Sequence, residues 1–184
     1  DNSSQTLGVR ADGAYALSPE WKLLYTAEYA KQDDYAEGDR RIDADYNRLG
    51  AGAKWKEMYV RFDYEKLGSN EGLYGFQTPL GTNHLFQGWA DLFLTTPKQG
   101  IKDYYVSAGA PIGPVKVWGE YHWLKSDVGG IEWGQEIDLA VSMQLRKGLV
   151  GKVELAQFNE GDVVAASRKR DTTKLWLTVQ YNFE

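Results

Sequence analysis

Residues 135–146, Gln-Glu-Ile-Asp-Leu-Ala-Val-Ser-Met-Gln-Leu-Arg, alternate without a break. Ile137, Leu139, Val141, Met143 and Leu145 fall on one side of an extended chain; Glu136, Asp138, Ser142, Gln144 and Arg146 fall on the other. Side chains of a strand point to opposite faces in turn, so this run fits a strand with one apolar and one highly charged face. A sheet of such strands must place its charged face against water and its apolar face against a core or against lipid.

Nine stretches carry this period: about 5–17, 21–32, 45–55, 58–66, 102–110, 115–125, 135–146, 149–158 and 174–183. The cleanest after 135–146 is 58–66, where Met58, Val60, Phe62 and Tyr64 oppose Tyr59, Arg61, Asp63 and Glu65. The third is weaker, with Leu49, Ala51, Ala53 and Trp55 against Arg48 and Lys54. Ser18-Pro19-Glu20, Lys56-Glu57, Pro111-Ile112-Gly113-Pro114 and Lys147-Gly148 read as tight turns, rich in residues that preset turn dihedrals. Between them lie longer segments at 33–44, 67–101, 126–134 and 159–173. Short and long connections therefore alternate, as the periplasmic turns and extracellular loops of bacterial outer-membrane barrels do.

Any antiparallel sheet with one wet face also alternates, so a soluble β-sandwich shares the period. Three features favour lipid. The strands run to about 9–13 residues against ~5–6 for soluble ones, and a tilted membrane span needs ~9–11. Aromatic residues gather at the ends of the apolar faces, with Tyr15, Trp21, Trp55 and Phe183 near the short turns and Tyr29, Tyr64, Tyr104 and Trp123 near the long loops. The loop rhythm never breaks. The expectation is an all-β, antiparallel transmembrane β-barrel, one domain over 1–184, in a Gram-negative outer membrane.

Composition agrees where it speaks. Mean hydropathy is -0.52 and no apolar run reaches the ~20 residues of a membrane helix, a test that barrels escape because every second residue is polar. The 184 residues include no Cys, which suits an oxidising periplasmic passage. A net charge of -5 argues against a nucleic-acid partner. The chain opens at Asp1 without a charged and apolar leader, so any export signal is expected to have been removed. Nine strands place the two ends on opposite sides, whereas single-chain bacterial barrels have even strand numbers. The expectation is the C-terminal part of a larger barrel.

Segment 74–97, Tyr-Gly-Phe-Gln-Thr-Pro-Leu-Gly-Thr-Asn-His-Leu-Phe-Gln-Gly-Trp-Ala-Asp-Leu-Phe-Leu-Thr-Thr-Pro, resembles the F-x-T-P-L-x-T-x-H-x-F-x-G-W-A-D signature of alginate-export-like outer-membrane proteins. Gly100 to Val106 is similar to that family too, and the resemblance covers about 45–183. It implies a porin-like barrel of roughly 16–18 strands that passes anionic polysaccharide or another small solute. Leu177, Val179, Tyr181 and Phe183 resemble the C-terminal signal read by barrel-assembly machinery, with Glu184 as a departure, because the aromatic usually comes last. Implied partners are outer-membrane lipid and lipopolysaccharide, that machinery, and a small-molecule or oligosaccharide solute.

Rings of charge set selectivity in a pore. Inward positions carry basic Arg10, Lys22, Arg48, Lys54, Arg61, Lys116, Arg146, Lys152 and Lys174, and acidic Asp12, Glu28, Asp63, Glu65, Asp103, Glu120, Glu136, Asp138 and Glu154. Equal numbers predict no net selectivity from the strands, and the plain alternative is that most of these charges pair across strands and stiffen the wall. Loop 67–101 is too long for a plain connection. Its Tyr74, Phe76, Phe86, Trp89 and Phe93 would be costly to leave in water, so it either caps the barrel or folds inward and constricts it.

His84 and Asp91 in that loop lack a companion nucleophile, which makes a structural histidine the simpler reading. The carboxylates of 33–45 miss calcium-loop spacing. No Cys/His zinc spacing and no phosphate loop appear, so neither a metal nor a cofactor is implied. The expected function is a porin or channel without a catalytic step. An outer-membrane hydrolase built on His122, and a soluble β-sandwich binding module, are the rivals.

Overall fold

The computed structural model describes residues 3–79, 81, 86–162 and 171–183. Nine long strands form one antiparallel sheet in chain order: β1 (Ser4–Ala16), β2 (Trp21–Asp34), β3 (Asp43–Trp55), β4 (Met58–Leu67), β7 (Ile101–Ile112), β8 (Val115–Lys125), β9 (Glu132–Arg146), β10 (Leu149–Glu160) and β11 (Thr172–Tyr181). A two-residue hairpin, β5 (Ser69–Asn70) with β6 (Tyr74–Gly75), lies inside the long β4–β7 connection, where the sequence predicts no strand. The chain is all-β among the described residues, and each of the nine predicted stretches is a strand with ends within about three residues of expectation.

The short connections are tight because single residues take left-handed conformations at the hairpin corners. Lys56 (φ 54°), Gly113 (φ 61°) and Gly148 (φ 74°) supply the positive φ that matches the twist of the flanking strands. In the first turn Ser18 Oγ accepts hydrogen bonds from the backbone N–H groups of Glu20 (3.3 Å) and Trp21 (3.1 Å). Registers run unbroken through β1–β2, β2–β3, β3–β4 and β4–β7, and shift only at Leu124/Lys125 and Leu149/Val150.

Burial is inverted relative to a soluble sheet. On the face carrying Leu49, Phe62, Leu139, Val153 and Leu177 the large apolar side chains are exposed, Leu139 at 45% and Leu177 at 75%. On the opposite face Asp63, Asp103, Glu136 and Asp138 are each at 0%. Monomeric soluble proteins rarely expose contiguous apolar patches beyond a few hundred Å², and this one spans nine strands. Aromatic pairs border it at both ends: Trp21–Trp55 (6.2 Å between centroids) beside the short turns, Tyr64–Tyr104 (4.9 Å) and Tyr121–Trp123 (4.4 Å) toward the long loops.

The sheet is open, with β1 and β11 as its edges. Eight successive antiparallel steps leave these two strands pointing the same way. Any all-antiparallel wall that closes the sheet therefore requires an odd number of further strands.

The apolar core is small and displaced. It lies at the long-loop end, between the polar face of the sheet and the β4–β7 connection, and includes Tyr46, Leu67, Phe76, Trp89, Ile101, Leu124, Trp133 and Phe158. Phe93 of the connection packs against Trp133 (6.3 Å) and edge-on against Phe158 (6.0 Å).

Candidate functional site: the polar face and the loop laid on it

The long connection is stitched to the sheet by side-chain amides. Gln32 on β2 donates from Nε2 to the Gln77 carbonyl (3.0 Å) and accepts from the Gln77 N–H (2.9 Å). Gln77 in turn donates to the Thr96 carbonyl and accepts from its N–H (2.9 and 3.1 Å). At the far side Asp127 accepts from Ser69 N–H (3.0 Å) and pairs with Lys102 (2.9 Å), while Trp133 Nε1 donates to the Gly100 carbonyl (3.1 Å).

The tip of the connection, 87–91, lies on the charged face itself. Gln87 Nε2 donates to Glu65 Oε2 (2.7 Å), whose Oε1 accepts from Tyr46 OH (2.5 Å). The Ala90 N–H donates to Glu136 (2.6 Å), the Trp89 N–H donates to Asp138 (3.3 Å), and Lys174 on β11 donates to the Ala90 carbonyl with Asp91 3.9 Å away. Backbone N–H groups on buried carboxylates are charge-assisted and among the stronger protein hydrogen bonds. Gly88 makes this approach possible: at φ 87°, a Cβ there would lie 2.5 Å from the Glu136 carboxyl. Gln87 and Asp91 also have positive φ (both 54°), a local cost accepted where the surroundings fix the conformation.

Next to the tip runs a belt of paired charges. Arg61 grips Asp63 with Nε (2.5 Å) and Nη2 (2.8 Å) and reaches Thr26 with Nη2 (2.7 Å). Arg48 adds a longer contact to Asp63 (3.4 Å) and donates to Tyr105 OH (2.7 Å). Glycine at 50 leaves the space, because a Cβ there would lie 2.8 Å from the Asp63 carboxyl carbon. That explains the weak alternation of the third stretch: its missing polar side chain makes room for a guanidinium from β4. Tyr105 stacks on the His122 ring (4.8 Å, 20°), and His122 stands among carboxylates, with Asp103 at 2.8 Å, Glu120 at 3.3 Å and Asp138 at 3.7 Å.

Most inward charges do pair, along strands as well as across them. Arg10–Asp12 (2.7 Å), Arg61–Asp63 and Lys152–Glu154 (2.8 Å) are same-strand neighbours two apart; Arg10–Glu28 (3.6 Å), Arg48–Asp63 (3.4 Å) and His122–Asp103 (2.8 Å) cross strands. The basic residues nearest the short turns differ. Among the described residues the side chains of Lys22, Lys54, Lys116 and Arg146 make no ion pair or hydrogen bond. Meanwhile Asp63, Glu65, Asp103, Glu136 and Asp138 are fully buried. Between the loop tip and the wall lies a cavity of about 540 Å³, lined by Arg10, Arg48, Arg61, Phe86, Glu120 and His122 among others. A second of about 710 Å³ opens on the loop side, past Arg41, Tyr74 and Lys98.

Of the loop residues singled out from sequence, Phe76 and Trp89 are buried against the sheet, Phe86 lines both cavities, and Asp91 meets Lys174; His84 lies outside the described residues, as does Glu184. The acidic loop is shorter than read, because β2 and β3 extend to Asp34 and Asp43. Three of its carboxylates have close basic partners, Asp39 with Arg41, Asp43 with Lys31 and Asp45 with Lys66 (2.8 Å). The Arg41 guanidinium holds the Asp39 carboxyl well below the usual carboxylate range. Sequence reading passed over Tyr105, Gln32 and Gln77. Tyr105 had a signal, an aromatic at an inward position; the glutamines had none.

No protein-family model matches the chain, and no curated protein matches it by sequence. Among solved structures, the chain is similar to the outer-membrane porin OccAB3 of Acinetobacter baumannii, with a TM-score of 0.72 at 12% identity. The match covers 100% of this chain and 49% of that one, so the chain spans about half the length of the structure it resembles. The fold is that of a porin-like β-barrel wall.

Proposed function

We propose that the chain forms part of the wall of an outer-membrane channel, with the charged face toward a hydrated lumen and the apolar face toward lipid. The inverted burial carries this reading: charged groups sequestered on one face and large apolar groups bare on the other, over nine strands. The porin-like fold supports it, and the wall is completed by strands beyond these nine. Passage is diffusion through water without a catalytic step. The hydrolase alternative is disfavoured, because both nitrogens of His122 face carboxylates rather than a hydroxyl nucleophile.

The 67–101 loop narrows the lumen through its tip at 87–91, and Arg10, Arg48 and Arg61 line the gap it leaves. The nine-to-nine charge balance is not what a solute meets. Five of the acids are buried, and Lys22, Lys54, Lys116 and Arg146, toward the short turns, are inward cations with no ion pair or hydrogen bond among the described residues. In a confined pore such charges raise the local concentration of anions. The reading is therefore a path for small anionic solutes, including acidic saccharides. The resemblance of 74–97 to alginate-export-like proteins is compatible with this, since residues 87–91 of that segment lie on the charged face.

The test is planar-bilayer recording of the full-length protein that carries this chain. Stable conductance with a reversal potential favouring anions in a salt gradient is expected. Folded protein that conducts nothing would remove the channel reading, and cation preference would remove the solute class.

A further inference from the structure

The polar face holds one group of side chains that solute passage does not require. His122 and Glu120 on β8 and Asp138 on β9 present Nε2, a carboxylate oxygen and Oδ2 within 4.8 Å of one another. Nε2 lies 3.3 Å from Glu120 and 3.7 Å from Asp138. Zinc with bonds of about 2.0–2.2 Å to nitrogen and oxygen holds its tetrahedral ligands about 3.3–3.6 Å apart, so the first spacing suits a shared ion and the second lies just above that range.

Two further observations point the same way. Asp138 is fully buried, yet its Oδ1 has no hydrogen-bond partner, and Oε2 of the equally buried Glu136 and Oδ1 of Asp103 are likewise unpartnered. Four carboxylates thus crowd a single imidazole, Glu136 and Asp138 against each other and Asp103 with an unpartnered oxygen, in an interior where unpaired charge is costly. The imidazole is also set as ligating histidines are: Nδ1 sits 2.8 Å from Asp103, which fixes the ring and leaves Nε2 for a metal. Glu120 and His122 border the 540 Å³ cavity, so an ion has a way in and a coordination position left for water or a solute anion.

We propose that Glu120, His122 and Asp138 bind one divalent metal ion of the zinc class in the inner wall, with Asp103 as the positioning residue. Such an ion satisfies the excess negative charge and, through Asp138, fixes the carboxylate that receives the Trp89 N–H. The site stands apart from the identity of any transported solute. It escaped sequence reading because Asp138 comes from a neighbouring strand, and the two-residue spacing of Glu120 and His122 alone is no metal motif.

The experiment uses the folded full-length protein, stripped with a chelator and titrated with Zn²⁺ by calorimetry and with Co²⁺ by visible absorption. One saturable equivalent and the ligand-field bands of four-coordinate Co²⁺ are expected. Glu120→Gln, at a half-buried position that folding tolerates, and His122→Gln each abolish both signals. Asp103→Asn weakens affinity by about 10–100-fold while the Co²⁺ bands remain. No saturable Zn²⁺ uptake by folded wild-type protein would overturn the proposal, leaving a cluster neutralised by protons. Uptake that survives both Glu120→Gln and His122→Gln would overturn it as well, since the metal would then sit elsewhere.

Discussion

Gly88→Ala is the smallest change that should release the loop tip from the wall. At φ 87° an added Cβ costs about 1 kcal/mol for the left-handed backbone alone. The same Cβ would lie 2.5 Å from the Glu136 carboxyl, so the carboxylate or the loop must move. Either motion breaks the 2.6 Å bond from the Ala90 N–H, a charge-assisted contact of about 1.5–3 kcal/mol. Together the penalties come to roughly 2.5–4 kcal/mol, which raises the undocked population by about 60- to 700-fold. Gln87–Glu65 and the contacts of Gln77 still anchor the rest of the loop, so the wall should remain folded. Hydrogen exchange read by mass spectrometry on a peptide spanning 86–94 measures the effect: the Trp89 and Ala90 amides should lose protection by about two orders of magnitude. Conductance should rise in parallel. Protection within about threefold of wild type would refute the claim that carboxylate contacts at the tip hold the loop in place.

Other expectations follow from the same geometry. Replacing Lys22, Lys54, Lys116 and Arg146 together with Gln should bring the reversal potential close to zero, since these are the inward cations without an ion pair; an unchanged anion preference would place selectivity elsewhere. Leu139→Arg, on the exposed apolar face in the middle of β9, should lower stability in lipid vesicles by about 2–4 kcal/mol in a urea titration, and a neutral result would mean that this face does not meet lipid. Arg61→Met should cost about 3 kcal/mol in the same assay, because the buried Asp63 keeps only the 3.4 Å contact with Arg48; a cost below 1 kcal/mol would show that the pair is dispensable.

The nine strands and their facing were legible because a two-residue period is a direct image of the sheet. Leu139 out and Asp138 in follow from parity alone. The loop was legible only as a cost: Phe76, Trp89 and Phe93 needed shelter, but nothing in the chain said that it lay on the charged face. The reason is physical. The anchoring donors at Trp89 and Ala90 are backbone N–H groups, which every residue has, and their acceptors lie nearly fifty residues away. Charge counting failed for a related reason. A tally treats Glu136 and Lys116 alike, although one is sealed beneath the loop and the other faces the opening. Glycine misled in a useful way, since Gly50 weakened the third stretch while making space for Arg61.

The central claim, that alternate residues of one strand face water and lipid, can be tested on β9 directly because the chain contains no Cys. Single cysteines placed at positions 141 to 145 in the membrane-inserted protein are challenged with a charged, membrane-impermeant thiol reagent. Those replacing Ser142 and Gln144 should react and reduce the current; those replacing Val141, Met143 and Leu145 should stay unmodified and instead be quenched by a lipid-borne probe when labelled. Reaction at all five positions, or at the odd ones alone, would contradict the account.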